Sequence, residues 1–267
     1  MGVSETIWMK DELIAGDAMS FARQLADMGW DVLAEAGPLA AILHGSLVTG
    51  DFVPGRSDVD LLFVVERALT DDQTGRLLDA VRGADHRGLP LDLRVVTRAV
   101  AASPTMSPPM ELYLGRHPGE PDEIEMRSTG EPDLVVEFWV ARRHGRSLRG
   151  PEPREIIGPV PDTWVLGYGL RLLDRWEDLT DDDANAELMV LTACRIWRFA
   201  AVGEIASKSA AARWAFGQVP TLSAIPAALR RRAGEAGVTI TEREVGDVLA
   251  TAKRATKARL SATSCPR

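Results

Sequence analysis

A run of five apolar residues with two aspartates at its entrance most limits how this chain can fold. Residues 61–65 read LLFVV, a pattern typical of a buried β-strand, and Asp58 and Asp60 come directly before it. Side chains alternate along a strand, so residues two apart lie on the same face. The two carboxylates are therefore predicted to be neighbours beside an apolar core, where they repel each other unless a positive charge lies between them.

The composition indicates a folded, acidic protein. The chain has 267 residues, of which 45% are hydrophobic, and a formal net charge of -8. This charge argues against a general affinity for nucleic acids or anionic membranes and suits cationic ligands or metal-bridged anions. Cys194 and Cys265 suggest no disulfide framework, and we find neither a signal peptide nor a run of about 18 apolar residues that could cross a membrane. We expect a soluble, cytoplasmic protein, with a monomer favoured.

The order of the predicted elements divides the chain into two halves. The first half alternates between helix and strand, whereas the second half is helical throughout. We expect an α+β protein, with a mixed sheet and helices in a domain at residues 1–150 and an all-α bundle at residues 151–267. Residues 101–127 show no clear period and are predicted as loop with short strands. The predicted elements are helices at 19–35, 134–143, 162–178, 186–203, 209–216, 225–236 and 241–262, strands at 39–43, 60–65 and 91–97, and a helix opened by the capping box Thr70–Gln73.

Polar groups near the predicted strands suggest a nucleotide site. Gly45 permits close backbone approach to a bulky anion, and Ser46 can donate to a phosphate oxygen. Asp58 and Asp60 follow about a dozen residues later, and Asp92 lies on a neighbouring predicted strand, with Leu91, Leu93 and Val95 expected to point into the core. Alternatively, Asp92 forms a salt bridge with Arg94, which shares its face.

Three carboxylates in this arrangement suit phosphoryl or nucleotidyl transfer. Mg²⁺ prefers one or two carboxylates together with substrate phosphates. A third carboxylate can share a metal ion or accept the proton of an attacking hydroxyl group. We therefore predict that Mg²⁺ carrying a nucleotide supplies the positive charge between the aspartates.

The motif Gly45-Ser46, ten residues, then Ser57-Asp58-Val59-Asp60 resembles the nucleotidyltransferase signature of the polymerase-β-like superfamily. The stretch LTACRIWRFAAVGEIASKSAAARWA and the helices that follow resemble the helical domain of the streptomycin/spectinomycin adenylyltransferases, which act in antibiotic resistance. The resemblance implies Mg²⁺-dependent transfer of AMP from ATP to a hydroxyl group of a cationic aminoglycoside-type antibiotic.

The resemblance also assigns roles by position. Ser46, within the motif that includes Gly45 and Ser57, matches the triphosphate-binding serine, and Asp58 and Asp60 match the metal ligands. Asp92 stands where the family has a catalytic base, usually glutamate; being one methylene shorter, it is either a base or a metal ligand. From the helical domain, Arg195 and Lys208 match nucleotide-phosphate contacts.

The expected acceptor site departs from the family pattern. Asn185 stands where the family has an acid that holds the aminoglycoside, and the family's drug-packing aromatic residue has no obvious counterpart in LGRHPGEPDE. Seven acids in the segment 174–187, including Asp183 and Glu187, form either a solvated loop or an acidic lip that attracts a polycation.

Three functions therefore remain open at this point. The first is adenylylation of an aminoglycoside-type antibiotic, and the second is the same chemistry on a protein side chain or a non-antibiotic metabolite. The third is a nucleotide-binding module without turnover, which has no need of two adjacent metal-binding carboxylates. A nucleic-acid polymerase is disfavoured by the acidic balance and the lack of a basic stripe.

Overall fold

The computed structural model describes residues 3–86 and 88–263 and divides into two compact units, Met1–Val160 and Pro161–Arg267. Each unit has its own buried apolar cluster. The first combines a mixed sheet with helices and the second is helical, as expected for the α+β class. The domain division expected after residue 150 stays a prediction, and Cys265 lies outside the described residues.

A six-stranded sheet forms the centre of the first unit, in the order β5-β4-β3-β2-β1-β6. Strands β2 and β3 are parallel, and the other neighbouring pairs are antiparallel. The strands are β1 (Pro38–His44), β2 (Val59–Val65), β3 (Leu91–Thr97), β4 (Met110–Arg116), β5 (Glu123–Ser128) and β6 (Arg146–Arg149).

The helices of the first unit surround this sheet. Helix α3 makes the crossover between the parallel strands β2 and β3, and it begins at the predicted capping box of Thr70 and Gln73, in which both reciprocal hydrogen bonds form. The helices are α1 (Val3–Val32), α2 (Ser46–Thr49), α3 (Asp71–Gly83), α4 (Arg98–Ala102), α5 (Leu134–His144) and α6 (Pro153–Ile156).

The two faces of the sheet differ in character. One face is apolar: Leu43, Leu61 and Leu93 belong to the cluster that also contains residues of α1 and α3. Phe63 packs so closely on Gly29 of α1 that a Cβ there would lie 2.4 Å from the ring, so the missing side chain brings helix and sheet together. The opposite face also has buried apolar residues, such as Leu62 and Val64, but it carries the polar groups of β2 and β3, which the alternation places there.

The second unit is a bundle built around its most apolar helix. Helix α8 contacts each of the other four, which explains why its sequence is apolar nearly all round. Among the helices that the structure describes, no segment has the length and apolar character needed to cross a bilayer. The bundle helices are α7 (Asp162–Trp176), α8 (Ala186–Val202), α9 (Lys208–Gln218), α10 (Ala224–Arg232) and α11 (Glu242–Thr263).

The prediction for residues 101–127 underestimated their regular structure. This segment contains the end of α4, all of β4 and most of β5, which extend the sheet by two strands. The alternation of Met110, Leu112 and Leu114 is too short to stand out beside its prolines and glycines. β5 is an edge strand whose residues are largely exposed. Its sequence therefore lacks the alternation of apolar and polar residues that marks a half-buried strand.

Candidate active site

Four neighbouring strands place one row of residues across the polar face of the sheet. Strand register pairs His44 of β1 with Asp60 of β2, Asp60 with Asp92 of β3, and Asp92 with Gly115 of β4. Asp60 and Asp92 are thus direct neighbours on parallel strands. Asp58 stands two residues before Asp60, so that the three predicted carboxylates come together, although their roles stay predictions.

The turn after β1 is fitted around the Asp60 carboxylate. Gly45 caps α2 with a φ of 70°, and a Cβ at this position would lie 1.8 Å from Oδ2 of Asp60. Ser46 is the first residue of α2 and follows directly. The sequence suggested that Gly45 makes room for a substrate anion; in the structure, the space is filled by the protein's own carboxylate.

The charge environment of Asp60 is unfavourable in the protein alone. Burial raises the pKa of Asp60 well above its usual range, and the nearby carboxylates of Glu137, Asp92 and Asp58 raise it further, while Arg94 lowers it. A bound cation would relieve this repulsion. This is the physical condition expected of a metal-binding carboxylate.

His117 is a member of the site that the sequence analysis missed. Its Nδ1 lies 3.5 Å from Oδ1 of Asp58, and its Nε2 lies 3.8 Å from Oδ1 of Asp92. His117 follows β4 directly, two residues after the register partner of Asp92. Only the pairing of β4 with β3, which is not visible in the local pattern, brings it here.

A second polar row lies behind the carboxylates and was also missed. The register places Arg94 of β3 next to Tyr113 of β4. Arg94 forms ion pairs with Glu137 and with Asp133, the latter at 2.8 Å, from the start of α5. Arg94 thus pairs with these two acids of α5 rather than with Asp92. Instead, Tyr113 donates its hydroxyl proton to Oδ1 of Asp92 at 3.0 Å.

Burial governs the protonation of this second row and of His44. Burial raises the pKa of Glu137 to about 7 even though Arg94 opposes the shift. His44 is 4% exposed, and burial, with a further contribution from Arg94, lowers its pKa to about 3. His44 is therefore neutral at physiological pH and adds no positive charge to the row.

The carboxylates of the site suit Mg²⁺, which keeps water and phosphate ligands, better than they suit a metal ion that is bound by protein ligands alone. Within the part of the chain that the structure describes, no group of three or more His, Cys, Asp and Glu side chains is arranged to hold a metal ion. Mg²⁺ is commonly bound by one or two carboxylates, with water and substrate phosphates completing its shell. Asp58 and Asp60, hard oxygen donors in an acidic surrounding, match that requirement.

Ser57 supports the loop that leads to the carboxylates. It is buried, and its hydroxyl oxygen accepts a hydrogen bond from the backbone N–H of Val53 at 3.0 Å. This contact closes the turn before Asp58. The predicted contact of Ser57 with a nucleotide stays a prediction.

In the helical unit, Arg195 and Lys208 lie near one helix start. Nε of Arg195 on α8 donates to the carbonyl oxygen of Ala206 at 3.1 Å, and Lys208 is the first residue of α9, whose N-cap is Ser207. A helix N-terminus and two cations suit an anion. The phosphate contacts of both side chains stay predictions.

The three residues predicted to hold the acceptor lie around the start of α8. Asp183 forms an ion pair with Arg231 at 2.6 Å, and the side-chain amide of Asn185 donates to Asp182 at 2.7 Å. Glu187 is in the first turn of α8 and is partly exposed. Part of the acidic charge in this segment is thus matched within the unit.

Comparisons with known proteins agree on one family. A nucleotidyltransferase domain model matches residues 20–108, and the model of the aminoglycoside adenylyltransferase C-terminal domain matches residues 155–257. An aminoglycoside (3'') (9) adenylyltransferase of Klebsiella pneumoniae is 32% identical over 197 residues, covering 68% of this chain and 72% of the relative. A spectinomycin 9-adenylyltransferase of Staphylococcus aureus (strain Mu50 / ATCC 700699) is 30% identical over 188 residues, covering 67% and 70%.

A solved structure shares the fold. The crystal structure of spectinomycin adenyltransferase AAD(9) from Enterococcus faecialis with ATP and spectinomycin superposes with a TM-score of 0.67. It is 20% identical and covers 88% of this chain and 98% of that chain.

Proposed function

Because the chain belongs to the aminoglycoside adenylyltransferase family, we propose that it transfers AMP from ATP to a hydroxyl group of an aminoglycoside-type antibiotic and releases pyrophosphate. The observation that carries this proposal is the register of Asp60 beside Asp92 on parallel strands, next to the turn at Gly45 and Ser46. The relatives' names, which mention spectinomycin and aminoglycosides, support streptomycin- or spectinomycin-like acceptors.

The proposed reaction is an in-line displacement at the α-phosphorus. The acceptor oxygen forms a bond to phosphorus, the bond to the oxygen bridging the α- and β-phosphates breaks, and pyrophosphate leaves. Asp92 accepts the proton of the acceptor hydroxyl group, and Ser46 donates to the triphosphate. Asp58 and Asp60 would hold Mg²⁺, which when bound offsets the negative charge of the triphosphate and of the leaving pyrophosphate.

The helical unit is proposed to supply further contacts with both substrates. Arg195, Lys208 and the N-terminus of α9 offer positive charge and backbone donors to the nucleotide phosphates. Asp183, Asn185 and Glu187 are proposed to contact the acceptor.

A different acceptor is the second candidate, and one observation favours it. Asp183 is paired with Arg231, and position 185 carries an amide whose side chain binds Asp182. Less unmatched negative charge remains for a polycationic drug. The alternative is therefore the same transfer to a protein side chain or to a metabolite with fewer positive charges.

The test is pyrophosphate release from ATP and Mg²⁺ across a panel of aminoglycosides that includes streptomycin and spectinomycin, with mass spectrometry of the products. We expect one drug to gain one AMP unit, and Asp58→Asn and Asp60→Asn to abolish the reaction while the circular dichroism spectrum is retained. ATP binding without release with any drug would favour another acceptor. Wild-type rates in either variant would contradict the assigned metal ligands.

Asp92→Asn separates the two roles open to this residue. As a base, Asp92 is needed for the chemical step and not for nucleotide binding, so we expect slow turnover with nearly unchanged ATP affinity in the presence of Mg²⁺. A parallel loss of Mg²⁺-dependent ATP binding would instead identify Asp92 as a metal ligand.

A further inference from the structure

Tyr113 reaches Asp92 through a space that a glycine leaves open. Gly115 is the register partner of Asp92, and a Cβ on Gly115 would lie 2.5 Å from the Tyr113 hydroxyl oxygen and 3.0 Å from its Cζ. The ring therefore leans along β4 over Gly115. In this orientation its hydroxyl group is 3.0 Å from Oδ1 of Asp92.

The other side of the Tyr113 ring is held by a charged group that is itself anchored. The guanidinium carbon of Arg94 lies 4.7 Å from the ring centroid, at cation–π distance. Arg94 is bound by Asp133 and Glu137 of α5, and its side chain is only 11% exposed. These contacts form a continuous series: α5 binds Arg94, Arg94 packs on the Tyr113 ring, and the Tyr113 hydroxyl group binds Asp92.

We propose that Tyr113 is a positioning residue of the transfer reaction, whose hydroxyl group holds Oδ1 of Asp92 and turns the other carboxylate oxygen toward the acceptor hydroxyl group. This inference rests on the proposed function. In this contact the phenolic O–H donates and the carboxylate oxygen accepts, because an ionised carboxylate has no proton to give.

The length of the aspartate explains why such a contact matters. Asp92 has one methylene fewer than glutamate, so it reaches a substrate only if its carboxylate is correctly turned. A hydrogen bond to a carboxylate reduces its basicity somewhat, but a base must first lie within hydrogen-bond reach of the proton that it accepts. Fixing the carboxylate is therefore expected to favour the chemical step more than substrate binding.

The first experiment is the steady-state kinetics of Tyr113→Phe, which keeps the ring and its contact with Arg94 and removes only the hydroxyl group. Loss of a hydrogen bond to a charged group predicts a fall in kcat of about tenfold or more, with KM values for ATP and acceptor within about twofold of wild type. Tyr168→Phe, at the chain's other tyrosine, is the matched control and is expected to retain wild-type kinetics. An unchanged kcat in Tyr113→Phe would overturn the proposal.

A double-mutant cycle with Asp92→Glu tests whether the tyrosine acts through Asp92. The longer side chain displaces the carboxylate from the Tyr113 hydroxyl group, so in this background Tyr113→Phe is expected to change kcat by less than about twofold. A loss as large as that in the native background would mean that Tyr113 acts independently of Asp92.

A double-mutant cycle measured by melting temperature tests the contact between Tyr113 and Asp92 independently of the proposed function. In Tyr113→Phe and Asp92→Ala, the changes in melting temperature are expected to be non-additive by a few degrees, because each substitution removes one partner of the same hydrogen bond. Additive changes would contradict the contact. If the wild-type enzyme modified no acceptor while this coupling was present, the proposed function would fail and the contact would stand.

Discussion

At the residue scale, Asp60 is held in a place that disfavours its own charge. Its carboxylate fills the space beside Gly45 and faces Asp58, Asp92 and Glu137, and its pKa is raised by burial and by these acids. A residue kept for stability would not be placed this way. The arrangement therefore predicts opposite effects on stability and on activity when the charge is removed.

Asp60→Asn is expected to raise the melting temperature at pH 7–8 in a buffer without divalent cations and nucleotide, while abolishing AMP transfer. The folded-state pKa is raised, so ionisation destabilises the fold progressively as pH rises from the unfolded-state value toward the folded-state value. Each 1 kcal/mol relieved corresponds to about 2–4 °C in a chain of this size. Differential scanning calorimetry against pH measures the effect.

The control for this comparison is Asp79→Asn, whose side chain is 83% exposed and for which no comparable gain is expected. An increase in the melting temperature of Asp60→Asn that is equally large at pH 3 and pH 8 would contradict the explanation. At the lower pH, Asp60 is protonated in both the folded and the unfolded state.

Gly45→Ala is predicted to damage both stability and activity, because the new Cβ would collide with Oδ2 of Asp60 at 1.8 Å. Gly50→Ala is the matched control: its φ is also positive, at 77°, but nothing lies within 4 Å of its Cβ position. The left-handed conformation of Gly50 costs an alanine roughly 1–2 kcal/mol. Gly45, with a φ of 70° and a ψ of -149°, lies in a region that is nearly confined to glycine, so the fall in kcat/KM is the more specific test of its contact with Asp60. Chemical denaturation should show a larger loss for Gly45→Ala, and kcat/KM should fall for that variant only; equal effects would show that backbone strain accounts for both.

At the element scale, two helix starts carry the same type of cap and differ in what surrounds them. Thr70 caps α3 and Ser207 caps α9, each accepting a hydrogen bond from the backbone N–H three residues later. Lys208 follows the second cap, and the loop before it is bound by Arg195. The cap of α9 therefore lies beside residues with proposed phosphate contacts, whereas no substrate contact is proposed at the cap of α3.

Thr70→Ala and Ser207→Ala are each expected to lower the free energy of unfolding by about 1 kcal/mol. Only Ser207→Ala should also raise KM for ATP, since it loosens the turn that carries Lys208. Denaturant titration and initial rates measure the two effects. An unchanged KM in Ser207→Ala would argue against the phosphate role of this helix start.

At the scale of the whole molecule, each compact unit has a buried apolar cluster of its own. Cys194 lies in the cluster of the helical unit and is fully buried, and burial raises the pKa of its thiol to about 12. A thiol that is neither exposed nor ionised reacts very slowly. Cys194 is therefore a natural probe for opening of this unit.

In a Cys265→Ser variant, we expect a thiol reagent at pH 8 to label less than about a tenth of Cys194 in native buffer and all of it in denaturant. The concentration of denaturant at which labelling becomes fast should match the loss of helical circular dichroism. Rapid labelling in native buffer would contradict the packing of α8.

Local patterns in the sequence were enough to predict a large part of this protein. The apolar run of β2, the alternation of β3 and the capping box of α3 each depend on residues close together in the chain, and each element forms where it was predicted. The placement of Leu91, Leu93 and Val95 in the core follows from the same alternation. The predicted carboxylates also come together, because each stands at the start of its strand.

What lies beside those carboxylates was decided by the tertiary structure. Strand register between β3 and β4 puts Tyr113 next to Arg94 and brings His117 to Asp58 and Asp92, and α5 then supplies Glu137 as the partner of Arg94. β4 and β5 carry too weak a local period to be predicted. The sequence by itself determined which acids face one side of the sheet, because alternation is local; their neighbours depend on pairing between distant segments, which only the folded chain establishes.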